Sequence, residues 1–205
     1  MTPQNRIYLA SRSPRRRELL AQIGVAFDGL WFRSKERTDP EIDETPHPGE
    51  CATDYVLRLA QAKAEHGERL CIQRKLAPRI VLAADTTLEV DGNIIGKPAD
   101  SAEATHILRR LSGRCHRVLT GIAVCFQGKA RTALNVSEVR FRPLEKSEIR
   151  RYVFSGEPMD KAGAYGIQGG AGLFIEHISG SYSGIMGLPL CETGLLLKAQ
   201  GYRFD

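Results

Sequence analysis

Two tight-turn signals require this chain to build a sheet that is at least partly antiparallel. Asp91-Gly92 lies inside the strand-like run 88–95, and Gln127-Gly128 joins two longer runs, 116–126 and 129–141. A glycine-bearing pair between strand-like segments is the local mark of a hairpin, and a hairpin makes antiparallel neighbours. The remainder of the chain alternates strands with helices. Residues 7–10 read as a short buried strand, and Pro14 opens a helix carrying Leu19, Leu20 and Ile23 that Gly24 closes. A second strand is expected near 27–32. The segment 33–50 mixes charge with Pro40, Pro46 and Pro48 and is expected to be loop.

Further on, residues 52–67 have helical periodicity, with Tyr55, Val56, Leu59, Ala60 and Lys63 on one face. A lysine thus occupies a stripe where a core residue belongs. Residues 79–84 form a continuous apolar strand that ends in Asp85-Thr86-Thr87. Asp100 or Ser101 caps a helix with Ile107, Leu108 and Leu111 that stops at Gly113. An amphipathic helix at 144–154 precedes a glycine-rich stretch, 159–172, too permissive to stay regular. A strand at 173–178 and a helix at 188–200 close the chain. The expectation is an α/β fold with a mixed sheet flanked by helices, in one domain spanning 1–205.

Composition narrows the class. With 42% hydrophobic and 26% charged residues the chain is ordinary globular protein. It holds no run near the roughly 20 apolar residues of a membrane span, and no export signal is expected. Five cysteines, none in a CxxC pair, argue against a disulfide framework or zinc site and for a cytoplasmic setting. A net charge of +5 suits a polyanionic ligand. Aromatics make up 7% and do not interleave with the basic residues, so no stable nucleic-acid partner is expected.

Several segments carry chemistry. Ser11-Arg12-Ser13-Pro14-Arg15-Arg16 places hydroxyls and guanidiniums where a strand gives way to a helix. The free amides of a helix start attract phosphate, and positive side chains there oppose the helix dipole unless an anion is present. The bland alternative is a capped helix with solvated arginines. Asp85, delivered at the end of an apolar strand, suits a metal ligand, a proton acceptor or a turn cap. The cluster Glu41-Ile42-Asp43-Glu44 reads as a solvated patch or, beside bound phosphate, as oxygen ligands for magnesium. Lys63 and Lys97, the latter stiffened by Pro98, are candidate phosphate ligands. Gln168, within Asp160-Lys161-Ala162-Gly163-Ala164-Tyr165-Gly166-Ile167-Gln168-Gly169-Gly170, offers a donor and an acceptor to a base edge. The adjoining glycines are expected to let backbone approach a ligand.

Together with Arg58-Leu59-Ala60, Gly96-Lys97-Pro98 and Gly187-Leu188-Pro189-Leu190, these segments resemble the Maf family, in order, from Ile7 to Leu197. The resemblance implies an elongated fold related to inosine triphosphate pyrophosphatases, with two lobes about a cleft. It implies hydrolysis of a nucleoside triphosphate to the monophosphate and pyrophosphate with a divalent cation, magnesium or manganese. On it, Asp85 matches the proton acceptor and, with Glu44, the metal position. Ser11, Arg15, Arg16, Lys63 and Lys97 match triphosphate ligands. Arg15, Thr86 and Gln168 match the branch acting on dTTP and UTP, rather than the one acting on 7-methylguanosine triphosphate. A binding role in septum formation and division arrest is the alternative from another class. The basic stretch 33–40 and Arg12 depart from the family pattern. Expected partners are the nucleotide and a second copy of the chain.

Overall fold

The computed structural model describes residues 5–31 and 42–204. Strand β1 (Arg6–Leu9) leads into helix α1 (Pro14–Gln22) and strand β2 (Ala26–Gly29). Helix α2 (Ala52–Gln73) is followed by β3 (Val81–Val90), β4 (Asn93–Ile95), α3 (Ser101–Leu111), β5 (Cys115–Phe126), β6 (Lys129–Phe141) and α4 (Lys146–Phe154). Short 3-10 turns carry the glycine-rich segment to β7 (Ile175–Ser179), before α5 (Tyr182–Ile185) and α6 (Leu190–Ala199). Phe32, the basic stretch 33–40 and Glu41 lie outside the described residues. Residues 42–50 contain no helix or strand, as their prolines lead one to expect.

The strands described form one sheet in the order β2-β1-β3-β5-β6-β7, with β4 pairing β3 beside that path. Pairings among β2, β1 and β3 are parallel. Those of β3 with β4 and β5, β5 with β6, and β6 with β7 are antiparallel. The mixed sheet follows from the two hairpins. Asp91 and Gly92 have φ of 54° and 72°, Gln127 and Gly128 of 52° and 73°. Positive φ at both central residues is the turn whose twist matches paired strands.

Two local expectations need correction. The strand expected to end at Asp85 runs on to Val90, so the carboxylate sits within β3 and not at its end. Thr86, Thr87 and Leu88 favour strand, and β5 pairs along β3 from Val81↔Cys125 to Glu89↔Arg117, holding it extended. The helix expected to close at Gly67 continues to Gln73. Gly67 is there for contact: a Cβ on it would lie 2.8 Å from Val81 Cγ1. Gly121, opposite Asp85, serves the same purpose, since a Cβ there would meet the Val56 carbonyl oxygen at 2.4 Å. The two glycines bring α2 hard against β3 and β5.

This packing creates the site. Strand β3 bonds β5 along one edge, while its other edge pairs β1 at Val81 and Leu82 and β4 at Leu88 to Val90. Residues 83–87 have no strand on that second edge among the described residues, and a cleft opens there. Side chains alternate along a strand. Val81, Ala83 and Asp85 therefore face α2, and Leu82, Ala84 and Thr86 face α1 and α6. The core divides accordingly. One cluster, including Ile7, Leu20, Leu82 and Leu197, lies under α1 and α6. Another, including Leu88, Leu108, Val118 and Phe141, lies under α3 and α4 at the far end of β3. The expected cleft between two lobes falls between them.

Candidate active site

A cavity of about 660 Å³ fills this cleft, and all nine residues to which the Maf resemblance gives a role line it. Ser11, Arg15 and Arg16 come from the turn between β1 and α1 and from the first turn of α1. Glu44 comes from the loop before α2, Lys63 from α2, Asp85 and Thr86 from β3, Lys97 from the segment after β4, and Gln168 from the glycine-rich segment.

The lysine on the apolar stripe finds its reason here. Lys63 Nζ donates to Asp85 Oδ1 at 2.7 Å and pairs with Glu44 Oε1 at 2.6 Å. The Lys63 and Asp85 side chains are each only 14% exposed, so neither charge would be tolerated there without the other. Burial acts to raise the Glu44 pKa, but Lys63, then Lys97 and Arg16, outweigh it and hold the carboxyl below its ordinary value. One cation thus already spans both carboxylates.

Helix α2 also holds the loop that bears Glu44. The Tyr55 hydroxyl donates to the Glu44 carbonyl at 2.9 Å, and Arg58 donates to the carbonyls of Asp43 and Thr45 at 3.3 and 3.2 Å. Arg58 is itself fixed by a two-point contact with Glu50 at 2.6 and 2.7 Å. Desolvation, then the charges of Asp85 and Glu44, push the Tyr55 hydroxyl up to about 12, so it stays a donor. The acidic cluster divides. Glu44 turns into the cavity, whereas Asp43 accepts from the Thr45 amide at 2.9 Å in a local turn and lines a separate depression.

At the start of α1, Arg16 is tied three ways: Nε donates to the Gly187 carbonyl at 2.7 Å, Nη1 to Ser11 Oγ and Nη2 to Thr86 Oγ1, both at 3.2 Å. Thr86 Oγ1 lies 2.9 Å from Thr120 Oγ1, which donates to the Gly184 carbonyl at 2.8 Å. A carbonyl only accepts, so Thr120 spends its hydrogen there and Thr86 must donate to Thr120. Arg16 then donates to Thr86, and the guanidinium is aimed by a chain of committed hydrogens. Desolvation lowers the Arg16 pKa, with Asp85 opposing the shift. Helix α1 has no acidic residue in its first turn, and its N-cap Ser13 makes no side-chain cap. An uncapped, cation-flanked helix start suits an anion.

The far end of the cavity is built differently. Gln168 lies in a turn closed by the Gly169 amide donating to the Gly166 carbonyl at 3.0 Å, and it is exposed. The sequence leads one to expect these glycines to let backbone approach a ligand; Gly166 does line the cavity, and Gly166 and Gly169 also answer to contacts within the protein. A Cβ on Gly169 would lie 2.0 Å from Glu157 Oε1, and one on Gly166 2.9 Å from Lys161 Cε. Tyr55, Asp160 and Lys161 also line the cavity and were given no role from the sequence. The Lys161 ammonium donates to Asp160 Oδ1 at 2.6 Å and to the Glu157 carbonyl at 2.5 Å. The Asp160-Lys161 pair in the glycine-rich motif was the available signal.

Together the mixed sheet, the uncapped helix start and the lysine-bridged carboxylates define an α/β protein whose cleft has the chemistry to suit a polyanion. The chain belongs to the family of Maf-like proteins, whose model matches residues 6–200. The dTTP/UTP pyrophosphatase of Dechloromonas aromatica is 62% identical over 198 residues, covering 97% of this chain and 98% of the relative. That of Aromatoleum aromaticum is 62% identical over 200 residues, covering 97% of both chains. That of Chromobacterium violaceum is 51% identical over 201 residues, covering 98% of both. The solved structure of the Staphylococcus aureus Ham1 protein aligns with a TM-score of 0.45 and 16% identity over 66% of this chain and 71% of that one. No helix among the described residues is long and apolar enough to cross a membrane.

Proposed function

We propose that this protein hydrolyses the pyrimidine nucleoside triphosphates dTTP and UTP to the nucleoside monophosphate and pyrophosphate. Relatives at 51–62% identity over nearly the whole chain bear that activity in their names. The observation that carries the chemistry is the Asp85–Lys63–Glu44 bridge beside the anion site at α1. In this reading Asp85 takes a proton from water as the water oxygen bonds to phosphorus and the anhydride P–O electron pair departs. Ser11, Arg15, Arg16, Lys63 and Lys97 hold the triphosphate. Thr86, its hydrogen committed to Thr120, acts by aiming Arg16. Gln168 meets the base edge, where uracil and thymine present a carbonyl beside an N–H.

A divalent cation fits the donor set. Among the described residues no group of three or more His, Cys, Asp and Glu could hold a metal. Magnesium and manganese nonetheless suit two carboxylates completed by substrate phosphates, and Glu44 and Asp85 already share one cation. When bound, the ion would polarise the scissile phosphate and offset carboxylate–triphosphate repulsion. The whole chain, 1–205, acts as one catalytic domain in this proposal. A cytoplasmic setting and a homodimer belong to it as well, though the site's geometry uses neither.

A panel of dTTP, UTP, CTP, ATP, GTP and 7-methylguanosine triphosphate, assayed for pyrophosphate with magnesium, manganese or excess chelator, tests the proposal. dTTP and UTP should lead, and chelator should silence them. A purine triphosphate in first place would overturn the base assignment. No pyrophosphate from any triphosphate would favour the binding role in division, and full activity in chelator would remove the metal.

A further inference from the structure

We propose that Tyr152 and Glu157 form a latch that sets the position of Gln168 and through it the choice of base, an inference that rests on the pyrimidine reading above. Neither side chain lines the cavity. Yet each backbone amide two residues from Gln168 ends on this pair. The Gly166 amide donates to the Tyr152 hydroxyl oxygen at 3.2 Å, and the Gly170 amide donates to Glu157 Oε2 at 3.0 Å. The Tyr152 hydroxyl in turn donates to Glu157 Oε1 at 2.9 Å, closing the loop's two ends onto one carboxylate.

The steric fit points the same way. The Gly166–Gly169 turn lies so close that a Cβ on Gly169 would fall on Glu157 Oε1, 2.0 Å away. Gly169 has φ −106° and ψ −154°, an extended backbone open to other residues, so its lack of a side chain answers to the carboxylate and not to a strained φ. Lys161 Nζ, on the Glu157 carbonyl at 2.5 Å, fixes the latch from below. The Tyr152 ring stacks edge-on against Phe174 at 5.2 Å, which holds its hydroxyl in place independently of Glu157. Gln168 itself makes no hydrogen bond to the described residues. Its side chain reaches the cavity because the turn beneath it is held.

The latch predicts a split that a merely structural pair would not give. Tyr152→Phe removes one oxygen and keeps the ring. Gly169→Ala adds one methyl at an exposed position and drives the Glu157 carboxylate away, a move that a flexible side-chain end makes without unfolding the chain. In each variant the KM for dTTP should rise by about tenfold with kcat within about threefold, the mark of lost positioning rather than lost chemistry. The dTTP-over-CTP ratio of kcat/KM should fall towards that of Gln168→Ala. Amide exchange over residues 165–171 should quicken in both variants while that of β3 and β5 stays slow. Selectivity and exchange unchanged in folded Tyr152→Phe and Gly169→Ala, with Gln168→Ala altered, would overturn the latch. A wild-type enzyme with no pyrimidine preference would overturn the substrate reading and the latch's role in base choice together. Exchange would then still decide whether the pair holds the turn.

Discussion

The two ends of the cleft are made from different materials. At the end proposed for the phosphates, Arg16, Lys63, Asp85 and Thr86 stand on helices and a central strand, and each has partners that fix its direction. At the end proposed for the base, Gln168 rides on a glycine turn held by a tyrosine and a glutamate outside the cavity. Groups on regular elements are placed more tightly than groups on loops, and a reaction tolerates misplacement less than a recognition step does. The contrast teaches that chemistry and selectivity should separate: damage to one end should leave the other largely working.

The largest effect should come from the phosphate end. Asp85→Asn keeps the shape of the side chain and removes the proposed proton acceptor, and losing such a group costs on the order of a hundredfold to ten-thousandfold in rate. The comparison predicts that this loss is equal for dTTP and CTP. A steady-state rate above about a tenth of wild type would break it, because general-base catalysis is worth far more than that.

Lys63→Ala comes next and sharpens the comparison. Without the ammonium, Glu44 and Asp85 face each other across the cleft. Losing hydrogen bonds to a buried charged group costs roughly 2 kcal/mol, so the melting temperature should drop. Magnesium should restore much of it if the ion takes two carboxylates. Turnover should fall for all triphosphates alike. Lower stability with unchanged kinetics would mark Lys63 as structural only.

Gln168→Ala should act at the other end alone. The dTTP-over-CTP preference should narrow by about tenfold, the scale of one lost polar contact in a recognition site, with little change in melting temperature for an exposed side chain. A general fall in kcat without any change in preference would show that the two ends do not separate.

The effect furthest from the chemistry is on acid stability. Beneath the base end, His116 Nε2 lies 2.8 Å from the Tyr165 hydroxyl, and desolvation pushes its pKa from an ordinary 6.5 down to about 4. Between those values the unfolded chain binds a proton that the native chain does not, so stability falls as pH drops from 6.5 towards 4. The full loss is roughly 3 kcal/mol. The melting temperature of wild type should fall relative to that of His116→Phe across this window as pH drops. A gap that stays constant would mean that His116 does not titrate there.

How much of this was legible in the sequence follows the same division. The hairpins could be read because turn chemistry is local, and Lys63 stood out because a charge interrupted a helical stripe. Asp85 was found by type but placed wrongly, since whether Thr86 and Thr87 continue a strand depends on the distant β5. Gly67 looked like a helix end because its true reason, the approach of Val81, is a contact across the fold. Of the three acidic residues at 41–44, nothing local tells Glu44 from Asp43. Arg58 and Tyr55 make that selection from α2. The latch was invisible for the same reason: Tyr152 and Glu157 act through backbone amides that only folding brings to them.

The central claim is cleavage to a monophosphate and pyrophosphate at the Asp85 site. Phosphorus NMR of dTTP turnover, run with wild type and Asp85→Asn side by side, tests it most directly. Wild type should give dTMP and pyrophosphate in equal amounts with no dTDP, and the variant should leave dTTP intact over the same interval. Appearance of dTDP with inorganic phosphate, or the same products at a similar rate from Asp85→Asn, would contradict the account.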